Sequence, residues 1–211
     1  MPAATTVVTP ARFQTGLSYA EFLAKAPVNH DKFDASYNDP VLTEDDVAFL
    51  KAAMALPGGP RKLLVIGEAR CGDVYRELPT AVHIAERTGM ELRIFFRDEN
   101  SDIMEEFLSN QGKSRAIPIF TFYTSDTRYI AHWTERSATA HAGLGEAMKA
   151  AKAKLNLPDS ASFGNLPDAG RQELLKELIA RVEPPPEHWR KDAVKEIRQV
   201  LTTALNLPHA G

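Results

Sequence analysis

The feature that most constrains this 211-residue chain is a change of hydrophobic period just after residue 61. Lys62-Leu-Leu-Val-Ile-Gly67 is a continuous apolar run, short enough to be a strand buried on both faces. From Gly72 to Arg87 the apolar residues Val74, Leu78, Ala81, Val82 and Ala85 recur with helical spacing, and Thr88-Gly89 closes that helix. A strand buried on both faces needs cover above and below, so the chain is directed toward a layered α/β arrangement.

The downstream pattern agrees. Glu91 to Phe96 reads as a second strand, and Ser101 to Ser109 as a short helix with Ile103, Met104, Phe107 and Leu108 inward. Ile119 to Tyr123 and Tyr129 to Trp133 read as hairpin strands joined through Thr124-Ser125-Asp126-Thr127. A long helix from Ser137 to Asn156 places Leu144, Met148, Ala151 and Leu155 on one side. Strand, helix, strand, helix, hairpin, helix is a three-layer α/β pattern with a central mixed sheet, built on one right-handed crossover.

Three regions are expected. Residues 1–59 comprise a disordered start, Met1 to Ala11, and a helical extension with pieces at Ser18 to Ala26 and His30 to Asn38. A third helix begins at Thr43, where Asp46 completes a capping-box-like start. Val47, Leu50 and Met54 share its face, and Pro57-Gly58-Gly59-Pro60 stops it. Residues 60–156 form the α/β domain. Residues 157–211 form a C-terminal extension: a loop from Pro158 to Ala169, then helices at Arg171 to Val182 and Glu187 to Leu205 around Pro184-Pro185-Pro186. Their stripes (Leu174, Leu178, Val182; Val194, Ile197, Leu201, Leu205) require a partner surface. The expected surface is the domain itself; a second copy of the chain, giving a homodimer, is the alternative.

Composition narrows the function. A net charge of -3 gives no reason to expect nucleic acid as a partner. No apolar run approaches the ~18 residues of a membrane span. Met1 to Ala11 lacks the basic start and apolar core of a signal peptide, so a cytoplasmic protein with no membrane partner is expected. The sequence contains one cysteine, Cys71, which rules out an intrachain disulfide, a cysteine-only metal site and a dithiol cycle within one chain. The six histidines show no metal-ligand spacing, and no cofactor is implied.

Chemistry concentrates at Arg70-Cys71-Gly72-Asp73-Val74, between the first strand and its helix. A thiol there meets the positive end of a helix dipole and unpaired backbone N–H groups, and both favour the reactive thiolate. Arg70 adds to this if it folds toward the sulfur, and Asp73 opposes it. The plainer reading is a small apolar cysteine. Against it stands the location, at the carboxyl edge of the sheet where α/β folds place ligands.

These residues resemble the thioredoxin superfamily: a strand, then Cys-Gly-x-x opening a helix. Pro79 lies eight residues after Cys71, like the proline that kinks the active-site helix there. Asp98-Glu99-Asn100 follows the second strand, and Ala116-Ile117-Pro118 precedes the third, where thioredoxins carry a cis-proline. The chain is similar over residues 15 to 155 to a bacterial subgroup with Cys-Gly-Asp at the active site, through Phe96-Arg-Asp-Glu-Asn100, Ile103-Met-Glu-Glu-Phe-Leu-Ser-Asn110 and Ser114-Arg-Ala-Ile-Pro118. The departures are Arg70 for the usual tryptophan, Asp73 for proline, Val74 for the second cysteine, and Val65 where thioredoxins carry a buried acid.

The resemblance implies a thioredoxin-like fold and monothiol thiol–disulfide exchange, with a disulfide-containing protein or low-molecular-weight thiol as partner. It implies Cys71 as nucleophile, the Gly72 and Asp73 N–H groups as thiolate stabilisers, Ile117-Pro118 as substrate platform, and Arg70 beside it. A redox-inactive peptide-binding groove is the competing reading, and the peroxidase pattern before the cysteine is absent. Among other residues, Glu68 reads as an exposed loop carboxylate and, alternatively, as a proton acceptor. Asp98 and Asn100 read as caps for the next helix, His83 as an exposed or edge residue, and His132 as a packed aromatic. Arg97 and Arg115 frame the groove or are simply solvated.

Overall fold

The computed structural model describes residues 6–208, so residues 1–5 of the expected disordered start, and His209, lie outside it. Two compact units emerge: Met1–Arg136 with Ala193–Gly211, and Ser137–Asp192. In the first unit, β1 (Lys62–Gly67), β2 (Glu91–Phe96), β3 (Ile119–Tyr123) and β4 (Tyr129–Thr134) form one sheet in the order β2-β1-β3-β4. β1 runs parallel to β2 and antiparallel to β3, which forms a hairpin with β4, so the sheet is mixed. β1 is buried along its whole length, as its continuous apolar run requires.

Helix α5 (Gly72–Thr88) crosses from β1 to β2 and ends on Gly89 in the left-handed conformation. Val74, Leu78, Ala81 and Ile84 are buried in the main core with Leu64, Ile66, Phe120 and Phe122. The helix also buries Arg76, Glu77, Thr80 and His83, charges and hydroxyls that an apolar stripe does not announce. His83 is therefore not an edge residue: its ring lies 4.7 Å from that of Tyr37.

The helical run-in forms α1 (Pro10–Gln14), α2 (Tyr19–Lys25), α3 (His30–Tyr37) and α4 (Glu44–Ala55). Structure begins earlier than the sequence reading placed it: Val8 is fully buried and Pro10 opens a helix capped by Thr9. Leu17 exchanges two backbone hydrogen bonds of 2.8 Å with Ile94 and so occupies the outer edge of β2. Both Ser18 and Thr43 form complete capping boxes, with Glu21 and Asp46. α3 and α4 pack against α5.

After β2 the expected nine-residue helix is broken into α6 (Ser101–Met104) and a 3₁₀ turn at Glu105–Phe107. Ile103, Met104 and Phe107 face inward as expected, but Leu108 is exposed. Asn100 does not cap α6 with its side chain: its Nδ2 donates to the Phe96 carbonyl at 2.7 Å while Arg12 donates to its Oδ1 at 2.7 Å.

In the second unit α7 (Ala138–Lys154) is capped by the Ser137 hydroxyl and α8 (Asp168–Val182) packs beside it. Ala140, Val182 and Trp189 form its small core. Gly143 lies so close to Trp189 that a Cβ there would sit 2.4 Å from the indole, so only glycine allows this approach. Helix α9 (Glu187–Ala204) starts in this unit and continues into the first from Ala193. There Val194, Ile197 and Leu201 join the main core, and Arg198 donates to Asp45 and Asp46 of α4 at 2.7 and 2.6 Å.

Leu78 is fully buried in α5 between sheet and helices. Leu78→Ala is expected to lower the unfolding free energy by about 2–5 kcal/mol, measured by urea denaturation. A loss under about 1 kcal/mol would contradict the placement of this helix.

Candidate functional site

The site forms where β1 ends and α5 begins. Gly67 closes the strand, and a Cβ there would lie 2.8 Å from Val74 Cγ1, so the first turn of α5 rests directly on the strand end. Val74, in the place of a second cysteine, is fully buried and fills that contact. Cys71 is the N-cap of α5, in extended conformation with φ -86° and ψ 128°. Its thiol is half-buried and donates to the Ile117 carbonyl at 3.7 Å. The Ile117-Pro118 peptide is cis. Sulfur and proline loop, 46 and 47 residues apart in sequence, thus meet.

The electrostatics differ from the sequence expectation. Burial, followed by the nearby Asp73 carboxylate, pushes the Cys71 thiol above its ordinary pKa. The backbone N–H groups of Val74 and Asp73 and the Arg136 guanidinium pull the other way without overcoming it. The helix start acts as expected, but desolvation of a half-buried sulfur outweighs it. The N–H groups involved are those of Asp73 and Val74, not Gly72. The S–H···O contact to Ile117 also requires the protonated thiol.

Arg70 is committed elsewhere. Its guanidinium donates to Glu68 at 3.1 Å and to Asp98. Glu68 is not an exposed loop carboxylate: it is 6% exposed and accepts the Asp98 N–H at 2.9 Å, tying the end of β1 to the end of β2. Asp98 accepts from Arg97 at 2.8 Å instead of capping α6. Arg97 also reaches the Arg115 carbonyl at 3.4 Å, bringing the post-β2 and proline loops together, while the Arg115 side chain is exposed. His132 lies with the packed aromatics, 5.1 Å from the Phe107 ring, and accepts or donates a 2.7 Å hydrogen bond with Tyr129. Burial lowers its pKa.

The residue that sequence reasoning missed is Arg136. It follows β4, 63 positions from Asp73, and its Nε donates to the Asp73 carboxylate at 3.0 Å. No local motif marks it, and its proximity comes only from hairpin and crossover together. Val65, at the place of the acid in the resembling family, is fully buried and offers no proton relay. Among the described residues no group of three His, Cys, Asp or Glu is arranged to hold a metal ion, and no helix is long and apolar enough to cross a membrane.

A thioredoxin family model matches residues 16–151. The chain belongs to this family. Two solved structures share the thioredoxin-like fold at low identity. One is a protein of unknown function from Pseudomonas aeruginosa, 15% identical, TM-score 0.59, covering 94% of this chain and 99% of its own. The other is an HIV epitope-scaffold, 14% identical, TM-score 0.52, covering 93% and 99% respectively. No curated protein matches the sequence.

The raised thiol pKa has a stability consequence with a definite sign. The folded chain holds its proton more tightly than the unfolded chain, so the contribution is complete below the unfolded value of about 8.5 and fades as pH rises through the folded value. The urea midpoint is expected to fall as pH rises above about 8.5 in the native chain and less in Cys71→Ala; the phenols of Tyr19, Tyr37, Tyr123 and Tyr129, also raised, contribute equally in both chains from about pH 10 upward. Coincident pH profiles would refute the raised thiol pKa.

Proposed function

We propose that this thioredoxin-family chain handles thiols through one sulfur, with Cys71 forming a mixed disulfide. The supporting observation is the seat of the Cys71 thiol, 3.7 Å from the Ile117 carbonyl at the start of α5. The thiol first loses its proton to solvent. The thiolate then attacks one sulfur of a disulfide; the new Cys71 S–S bond forms, the old S–S bond breaks, and the departing thiolate takes up a proton. With no second cysteine in the sequence, release requires the thiolate of another molecule, a low-molecular-weight thiol, to attack the mixed disulfide and expel Cys71.

In this reading Ile117 and Pro118 form the substrate platform. Deprotonation ends the S–H···O contact and frees the Ile117 carbonyl to accept an N–H from an extended peptide, a one-residue strand addition. Gly72 and Asp73 shape the turn under the sulfur, and Arg70, bound to Glu68 and Asp98, forms part of the rim. A thiol held protonated reacts slowly at neutral pH, and its thiolate is a poor leaving group. The expected behaviour is therefore a persistent adduct with slow turnover, in a compartment supplying small thiols such as the cytoplasm.

The raised thiol pKa also favours a second reading, a groove that binds extended peptide without covalent chemistry. Oxidised glutathione at pH 7 to 9, followed by intact mass, separates the two. The first reading expects one glutathionyl adduct, forming faster as pH rises and absent in Cys71→Ser. No adduct at pH 9, with the thiol still titratable in urea, would leave only the groove.

A further inference from the structure

We propose that Arg136 is a positioning residue for the Cys71 thiol: it clamps the Asp73 carboxylate and neutralises it beside the sulfur. The proposal rests on the reading that Cys71 is the reacting group. Asp73 lies two positions into the turn after Cys71 and is 5% exposed. An ionised carboxylate so close opposes a thiolate by like-charge repulsion, and buried it needs cationic partners of its own. Its Oδ1 accepts from Arg76, one turn along α5. Its Oδ2 accepts from Arg136 Nε at 3.0 Å and Nη2 at 2.5 Å, both donors of the guanidinium fork.

Arg136 also ties this carboxylate to the proline loop. The preceding residue, Glu135, donates its backbone N–H to the Pro118 carbonyl at 2.7 Å and accepts from Arg136 Nη2 at 2.5 Å. One two-residue segment after β4 therefore holds both sides of the site: the Asp73 turn and the loop carrying Ile117. The charged groups around the sulfur are Asp73 and Arg76 on α5, Glu135 and Arg136 after β4, and Glu68 and Arg70 before α5; Lys32 of α3 lies 5.0 Å from the Tyr75 ring. Glu68 and Arg70 bond one another, and Arg70 also bonds Asp98. Asp73 and Arg136 act on the thiol in opposite directions, and Arg70, though bonded to Glu68 and Asp98, also couples to it by charge.

The test is the pH dependence of Cys71 alkylation by iodoacetamide in the full chain. Arg136→Gln is expected to raise the thiol pKa and slow alkylation at pH 7.5 by about three- to tenfold, and Asp73→Asn to speed it. Unfolding would release the thiol toward its ordinary value and speed the reaction, so slowing cannot be mistaken for loss of fold. Arg136→Lys, which keeps the charge but not the fork, is expected to fall between native and Arg136→Gln, and it carries the test alone if the glutamine variant does not fold. In an Asp73→Asn background the Arg136→Gln effect is expected to shrink at least twofold, since its target is gone. Native-like alkylation in the Arg136 variants, or an undiminished effect in that background, would overturn the proposal. Alkylation is read without any disulfide, so an absent glutathione adduct would sink the exchange reading and leave this result standing.

Discussion

Because Gly67 carries no side chain, the first turn of α5 can lie directly on the end of β1, with Val74 filling the contact. A Cβ at that point would meet Val74 Cγ1 at 2.8 Å and push the helix off the strand. The position of Cys71 at the N-cap, its reach to Ile117 and the burial of Asp73 all depend on this close approach. It also explains why Val74 suits this chain: a valine side chain completes the packing between strand end and helix start.

The electrostatic character of the site follows from that packing. A helix N-terminus stabilises an anion through partial charges, an effect that weakens within a turn. Removing sulfur from water acts against the anion directly. Here the second effect is larger, and Asp73 reinforces it. The Asp73 carboxylate is itself paired with Arg76 and Arg136.

Much of the scaffold was readable from residue pattern. The strand ranges Lys62–Gly67, Glu91–Phe96 and Ile119–Tyr123 coincide with β1, β2 and β3, and the capping box at Thr43 starts α4 where the sequence places it. These are local signals: hydrophobic period, cap chemistry and glycine stops act over a few residues. The errors arose where a nonlocal partner decided the outcome. Asn100 looks like a cap but is drawn to Phe96 and Arg12, and Glu68 looks solvated but is buried under the Asp98 backbone. His83 looks peripheral because its helix gives no hint that α3 and α4 cover its polar face.

For the candidate site, the sequence alone located the single cysteine, the turn that carries it and the Ile117-Pro118 dipeptide, since each is a matter of residue type beside a recognisable strand or helix end. Tertiary structure decided the direction in which that thiol's proton affinity is shifted and the company the sulfur keeps. Arg136 reaches Asp73 across 63 residues, and Arg70, adjacent in sequence, is bound by Glu68 and Asp98. Proton affinity depends on burial and on distances between charges, and both are set by how the hairpin and crossover bring remote segments together, which no local spacing encodes.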